Sequence, residues 1–147
     1  MVKINKKVEY ALMVLKHISD KDQHDLTSAR EVCDKFNIPF DTTAKVMQQM
    51  NNAGILHSTK GVKGGYGLDL NLEKINYLQL AELVEGKKIT LNCESNQCSL
   101  IDTCNITTPI KKLNEYLMYF FQGLTIKELL LEKNISPLDA ITKVTNP

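Results

Sequence analysis

The sequence predicts a mainly α-helical protein with one small β-hairpin. Apolar residues recur at intervals of three and four along several segments, which is the pattern of a helix with one buried face. A glycine-rich stretch near the middle separates two short extended runs, as in a hairpin. With 147 residues, 43% of them hydrophobic and 24% charged, the chain is long enough for one domain or a small domain with an appendage.

Two helices are predicted before residue 37. The first covers residues 4–20, where one face carries Ile4, Val8, Ala11, Leu12, Leu15 and Ile18. Thr27 or Ser28 can cap a second helix that ends at Phe36, because Ser28 and Glu31 have the spacing of a capping box.

A turn at residues 37–39 leads into a third predicted helix. Asp41 or Thr42 can cap this helix, which continues to Ala53, and Gly54 stands where a C-terminal cap belongs.

The stretch "ILHSTKGVKGGYGLDL" then predicts a hairpin, with Ile55–Thr59 and Tyr66–Leu70 as its strands. A helix from Leu72 to Glu85 follows. Three helices and a basic hairpin predict a winged helix-turn-helix domain over residues 1–86.

Three further regions complete the expected organisation. Residues 87–107 form a cysteine-rich loop, residues 108–133 a long dimerisation helix with a short terminal helix, and residues 134–147 a loosely ordered tail. The long helix is expected from Thr108 to about Gln122, and a capping box at Thr125 opens the short one. A heptad-like apolar seam suits the long helix to packing against a partner helix. The seam consists of Ile106, Ile110, Leu113, Leu117, Phe120 and Leu124.

The apolar run at residues 11–15 is too short to be the hydrophobic part of a secretory signal or a membrane span. We therefore expect a cytoplasmic protein with no membrane partner, whose thiols are kept reduced. The net charge is only +1, so nucleic-acid binding has to depend on a local patch.

The third helix and the hairpin are the predicted DNA-binding elements. In a helix-turn-helix module the second helix points its N-terminal residues at base edges in the major groove. The predicted contacts are Phe40, Asp41, Thr42, Thr43 and Lys45 on the helix, Lys60 and Lys63 at the glycine-rich tip of the hairpin, and Lys3 at the N-terminus. The alternative is a polar, solvated face on a small helical bundle.

Three of the four cysteines, Cys93, Cys98 and Cys104, lie within twelve positions. Thiolates are soft ligands that suit zinc, copper(I) and iron–sulfur clusters, and this spacing is wider than in common zinc sites. The alternative is three unrelated loop cysteines. Cys33 lies on an apolar helical face and is expected in the core.

Catalytic motifs are not evident, so an enzyme is the weaker class. The glycines of "GVKGGYG" have neither phosphate-loop nor dinucleotide-binding spacing. The histidines His17, His24 and His57 are scattered, and each is expected at the surface or in a turn.

Four segments, "EYALMVLKHI", "STKGVKGGYGL", the three-cysteine loop and "LTIKELL", together resemble the Rrf2 family of bacterial winged-helix regulators, which includes IscR and NsrR. The resemblance covers about residues 1–133. It implies a homodimeric transcription factor that binds double-stranded DNA and pairs through its long helix. It also implies an iron–sulfur cluster of two or four irons, held by Cys93, Cys98 and Cys104, whose state changes DNA binding.

The sequence departs from the family pattern at three points. The wing position that is usually an arginine is Lys60, which keeps the charge and loses the planar fork. The gap between Cys93 and Cys98 is one residue shorter than in the best-known relatives, and Thr107 stands where one branch has a histidine ligand. By resemblance to another branch, Glu9 of the partner subunit is the expected fourth ligand. The alternatives are a surface ion pair for Glu9, with a small molecule or Thr107 at the fourth position.

The expected function is therefore a dimeric DNA-binding regulator controlled by an iron–sulfur cluster that senses iron, redox state or nitric oxide. One alternative is a zinc- or iron-binding interaction module that does not read DNA. Another is a cluster-free regulator that senses by thiol oxidation.

Overall fold

The computed structural model describes residues 4–22, 24–89, 98–99, 102–132 and 136–145. It confirms the predicted class, since these ranges contain helices and a single two-stranded antiparallel hairpin. Within these ranges no helix combines the length and the apolar character that crossing a membrane requires.

Three helices open the chain: α1 (Lys6–Ser19), α2 (Ala29–Phe36) and α3 (Phe40–Asn52). Asn5 caps α1, and the hydroxyl of Ser28 caps α2 by accepting a hydrogen bond from the Glu31 backbone N–H at 3.1 Å.

The start of α3 differs from the prediction. The residue before the helix is Pro39, which has no side chain able to cap, so Asp41 and Thr42 lie inside the first turn. Proline is compatible with a helix start because its φ is fixed near the helical value and no N–H is lost there. Asn37 adopts a left-handed conformation with φ 51°, which short polar side chains tolerate, and so ends α2 sharply.

The hairpin forms as predicted, with slightly shorter strands. Strands β1 (Leu56–Thr59) and β2 (Gly65–Leu68) pair from Leu56 opposite Leu68 to Thr59 opposite Gly65. Thr27 exchanges two backbone hydrogen bonds with Tyr66, at 2.9 and 2.8 Å. The segment before α2 therefore pairs with β2 near the tip of the hairpin.

The predicted helix from Leu72 to Glu85 is broken in two. A single 3₁₀ turn (Leu72–Lys74) comes first, and α4 (Tyr77–Glu85) starts after Asn76, which forms a capping box with Gln79. The cap satisfies backbone N–H groups at a new helix start, so the chain turns there.

Three helices follow the cysteine-rich region: α5 (Thr107–Gly123), α6 (Ile126–Leu131) and α7 (Pro137–Thr145). The capping box at Thr125 and Glu128 forms as predicted. Residues 137–145, predicted to be loosely ordered, instead form α7, which packs against α5. A short helix of this kind is stabilised by its packing more than by its own sequence.

The core lies where α1, α3, α4 and the base of the hairpin meet. Its fully buried large side chains include Leu15, Met47, Met50, Ile55, Leu56, Leu80 and Ile126. Backbone hydrogen bonds of 2.8 Å from Tyr77 to Leu124 and of 2.9 Å from Ile126 to Ile75 tie the C-terminal helices to this core. Cys33 is buried as expected, whereas His17, expected at the surface, is buried between α1 and α2.

Candidate nucleic-acid interface and cysteine site

The first turn of α3 is a mostly solvent-exposed polar surface. Asp41 and Lys45 are exposed, Thr42 is half-buried, and the ring of Phe40 remains 44% exposed. The helix presents these side chains outward because Val46 and Met50, on its other side, are buried in the core. Four of the five predicted α3 contacts can thus be reached by a partner.

Thr43 is placed differently. It is completely buried, and its hydroxyl donates a hydrogen bond of 2.8 Å to the carbonyl oxygen of Pro39. This bond satisfies the buried hydroxyl, so the Thr43 side chain is not on the surface where the sequence predicted it.

A shallow depression continues this surface between α1 and α3. It is lined by Lys7, Thr42, Lys45, Val46, Gln48 and Gln49. The two glutamines were missed by the sequence reasoning, although Gln48 and Gln49 lie three and four residues after Lys45 and so share its side of the helix. A glutamine amide can donate and accept at an adenine edge, and lysine ammonium groups attract phosphate.

The tip of the hairpin, here called the wing, spans residues 60–64. Lys60, Val62 and Lys63 are exposed. Gly61 has φ 116°, a conformation open to glycine, and a Cβ on Gly64 would lie 2.2 Å from the Thr59 carbonyl oxygen. The glycines therefore permit a narrow tip that carries two cations. Lys3, the remaining predicted DNA contact, lies outside the described residues.

The cysteine site is described in part. Cys98 is exposed, Cys104 is half-buried, and neither forms a disulfide; Cys93 lies outside the described residues. Among the residues that the structure places, no group of three or more histidine, cysteine, aspartate or glutamate side chains is close enough to hold a metal ion.

Cys104 lies immediately before α5. A hydrogen bond from the Thr107 side chain, together with the backbone N–H groups of Ile106 and Thr107, lowers the pKa of the Cys104 thiol and outweighs burial, which raises it. The Thr107 hydroxyl also lies 3.4 Å from the Cys104 carbonyl oxygen. A thiol in this environment has an increased thiolate fraction, and thiolate is the form that binds metals and reacts with oxidants.

Glu9, the expected fourth ligand, lies in the first turn of α1. Its carboxylate pairs with the Lys6 ammonium at 2.6 Å, and the Glu9 side chain is 37% exposed. The surface ion pair left open by the sequence is thus present, and the carboxylate remains accessible.

Large apolar side chains are exposed along α5 and at the residue that precedes it. Ile106, Leu113 and Tyr116 are 53, 52 and 61% exposed. At the other end of the helix, Phe121 packs on Tyr77 with ring centroids 4.9 Å apart, and Leu124 is buried. The predicted seam is therefore divided: its C-terminal part belongs to the core of the chain, and its N-terminal part faces outward.

Comparison with known proteins agrees with this architecture. A family model described as "Rrf2: Iron-dependent Transcriptional regulator" matches residues 4–132. The HTH-type transcriptional regulator NsrR of Shouchella clausii is 24% identical over 129 residues, which cover 86% of this chain and 87% of that protein.

Solved structures with the same fold include CymR, described as the global cysteine regulator of B. subtilis. Its TM-score is 0.68 at 18% identity, covering 91% of this chain and 100% of that one. IscR of T. potens has a TM-score of 0.65 at 14% identity, covering 90% of this chain and 89% of the other.

Proposed function

The chain belongs to the Rrf2 family of transcriptional regulators, and from that premise we propose that it is a homodimer whose affinity for a DNA operator is controlled by an iron–sulfur cluster. The proposal rests on one observation: a single winged helix has both an exposed first turn of α3 and a wing with exposed lysines. In such modules the recognition helix enters the major groove, while a basic, glycine-rich tip can approach the backbone or the minor groove.

We propose distinct roles for the DNA-facing residues. Phe40, Asp41 and Thr42 face base edges, since they stand at the N-terminus of the recognition helix. Lys45, Lys60, Lys63 and Lys3 neutralise phosphates. Because each of these cations is a lysine, their contribution is mainly electrostatic and depends on salt.

The dimer is proposed from the apolar outer face of α5. Leu113 and Tyr116 lie three residues apart on one side of the helix and are more than half exposed. Exposed apolar side chains at helical spacing favour pairing with a second copy of the helix. A two-fold dimer would place two winged helices on a partly palindromic site.

Cys93, Cys98 and Cys104 are the proposed cluster ligands, with Glu9 of the partner subunit as the fourth. Cys98 and Cys104 fit an iron–sulfur cluster because they are unbridged, reachable from solvent and soft donors. Bound there, such a cluster supplies iron and sulfide that react with oxidants and nitric oxide. A carboxylate is a more labile iron ligand than a thiolate, which suits a sensor.

Two measurements on one preparation test this function. The full chain, purified without oxygen, is assayed for iron and sulfide, and its absorption spectrum is compared with that of Cys98→Ala. The same protein then selects sequences from a random duplex library, and its affinity for them is measured at several salt concentrations. Iron and sulfide that disappear in Cys98→Ala, and a steeply salt-dependent affinity, are the expected results. Colourless wild-type protein with stoichiometric zinc would argue against the cluster.

A cluster-free thiol sensor is the second candidate. It is favoured by the lowered pKa of the Cys104 thiol, and the structurally similar CymR is described as a cysteine regulator. In that case the DNA affinity of iron-free protein would change on exposure to peroxide and recover with thiol reductant.

A further inference from the structure

The sequence contains one arginine, Arg30, among its eighteen basic Lys and Arg residues. It is the second residue of α2, and its guanidinium carbon lies 5.1 Å from the ring centroid of Phe40, the first residue of α3. This distance is within the range of a cation–π contact. The single guanidinium group of the sequence therefore lies next to the first residue of the recognition helix.

Both members of the pair face solvent. Arg30 is exposed, and 44% of the Phe40 surface is accessible. Within the part of the chain that the structure describes, Arg30 has no carboxylate partner. The guanidinium therefore contacts the ring while its N–H groups remain available to donate to a partner outside the chain.

A second cation–π contact in the same module provides a contrast. Lys35 lies 5.6 Å from the ring centroid of Phe36, but its ammonium also approaches the buried ring of His17 at 3.4 Å. That pair is directed into the packing between α1 and α2. Among the residues that the structure places, the Arg30–Phe40 pair makes no such contact, and both of its side chains are exposed.

We propose that Arg30 and Phe40 form a DNA-reading unit, in which Phe40 positions the guanidinium so that its fork binds two neighbouring acceptor atoms on the duplex. The proposal rests on the proposed DNA-binding function and adds a contact residue that the sequence did not indicate. A guanidinium offers paired, fixed donors that match the O6 and N7 acceptors of a guanine edge, and a lysine ammonium cannot reproduce this geometry. Stacking on a ring also limits the side-chain entropy lost on binding.

The test uses the full-length protein and a duplex selected by the wild type from a random library. Affinities for this duplex and for an unrelated duplex are compared for Arg30→Lys, Phe40→Leu and the double variant. Lys74→Gln serves as the control, because Lys74 is an exposed cation in the 3₁₀ turn, outside the helix-turn-helix. Melting temperatures verify that each variant is folded.

Arg30→Lys keeps the charge and loses the fork. We expect it to weaken binding to the selected duplex by about tenfold, the size of one bidentate contact, and to leave the unrelated duplex and the salt dependence almost unchanged. Phe40→Leu should act in the same direction. The loss in the double variant should be smaller than the product of the single losses, because the two side chains act together.

The acceptor is identified by modified duplexes. Replacing a guanine by 7-deazaguanine removes N7, and a methylphosphonate removes one phosphate charge. A guanine whose replacement by 7-deazaguanine abolishes the difference between wild type and Arg30→Lys is the contacted base, and a methylphosphonate that leaves the difference unchanged excludes the neighbouring phosphate.

Three outcomes overturn the inference. Arg30→Lys could bind the selected duplex as tightly as the wild type, it could lose the same factor on both duplexes, or the single losses could simply multiply. In each of these cases the proposed regulator function still stands. If the wild type enriches no sequence from the library, both the regulator function and the inference fail.

Discussion

His17 and Glu31 join α1 to α2 through a hydrogen bond of 2.7 Å between Nε2 and Oε1. The ammonium of Lys35, which can only donate, lies 3.4 Å from the other ring nitrogen. This arrangement places the imidazole proton on Nε2, so His17 donates to the carboxylate. Lys21 pairs with the same oxygen at 2.6 Å. The Glu31 carboxylate thus links α2, the first helix of the helix-turn-helix, to α1.

Glu31→Gln should lower the free energy of unfolding near neutral pH and make that free energy less dependent on pH in the acid range. Burial raises the pKa of Glu31, but hydrogen bonds from Lys21 and His17 outweigh it and hold the pKa below the usual 4.5. A group with a lowered folded pKa adds stability above its unfolded pKa, and this stability is lost as pH falls through the folded value. Because the Glu31 side chain is 38% exposed, solvent screens the pair, and the free energy of unfolding should fall by about 1 kcal/mol in Glu31→Gln near neutral pH.

Chemical unfolding of Glu31→Gln and wild type between neutral pH and about pH 3 measures this effect. The two free energies of unfolding should converge as the pH falls below the folded pKa. Curves that remain parallel throughout would show that Glu31 does not titrate as a paired carboxylate.

Lys60→Ala should weaken DNA binding on every sequence alike. Lys60 is exposed at the wing, and a lysine that neutralises one phosphate contributes about one unit to the slope of log affinity against log salt. Salt titrations of the selected and unrelated duplexes measure that slope. Lys88→Ala, at an exposed position after α4, is the matched control. An equal loss of affinity in both variants would show that the wing does not contact DNA.

Gly64→Ala should impair DNA binding more than it affects the fold. An added Cβ would lie 2.2 Å from the Thr59 carbonyl oxygen and 2.9 Å from that of Gly61, so the backbone of the wing has to shift. The buried core is elsewhere, and the thermal midpoint should fall little. DNA affinity is measured by gel shift. An unchanged affinity would show that DNA binding does not depend on the shape of the wing.

Leu113→Asp should dissociate the proposed dimer without unfolding the chain. Leu113 is 52% exposed on α5, so a carboxylate there is tolerated in a monomer and is costly in an apolar interface. Sedimentation should show a monomer at concentrations where the wild type is a dimer. Glu115→Gln, at an exposed position on the same helix, should remain dimeric; a dimer in both variants would place the interface elsewhere.

Much of the fold was predictable because its signals are local. The periodicity of α1, the capping residues Ser28 and Thr125, and the glycines of the wing each specify a short segment. The caps and the hairpin therefore agreed with the sequence to within a few residues.

Burial within a polar-looking segment was harder to predict. Thr43 precedes Val46 and Met47 by three and four residues and so shares their buried side of α3. His17 likewise follows Val14 by three residues on α1. In both cases the periodicity indicates burial while the polar residue type indicates exposure, and the structure follows the periodicity. By contrast, α7 depends on packing against α5, and a sequence pattern of nine residues does not reveal it.

The most direct test of the account compares the affinity of one anaerobic preparation for its selected duplex before and after the iron is removed by a chelator. Control by a cluster predicts an affinity change of about tenfold or more in wild type, which is a coupling of ordinary allosteric size. It also predicts no change in Cys98→Ala, which would hold no cluster. Equal affinities for iron-loaded and iron-free wild type would contradict control by a cluster, and the protein would then be a winged-helix DNA-binding protein without that switch.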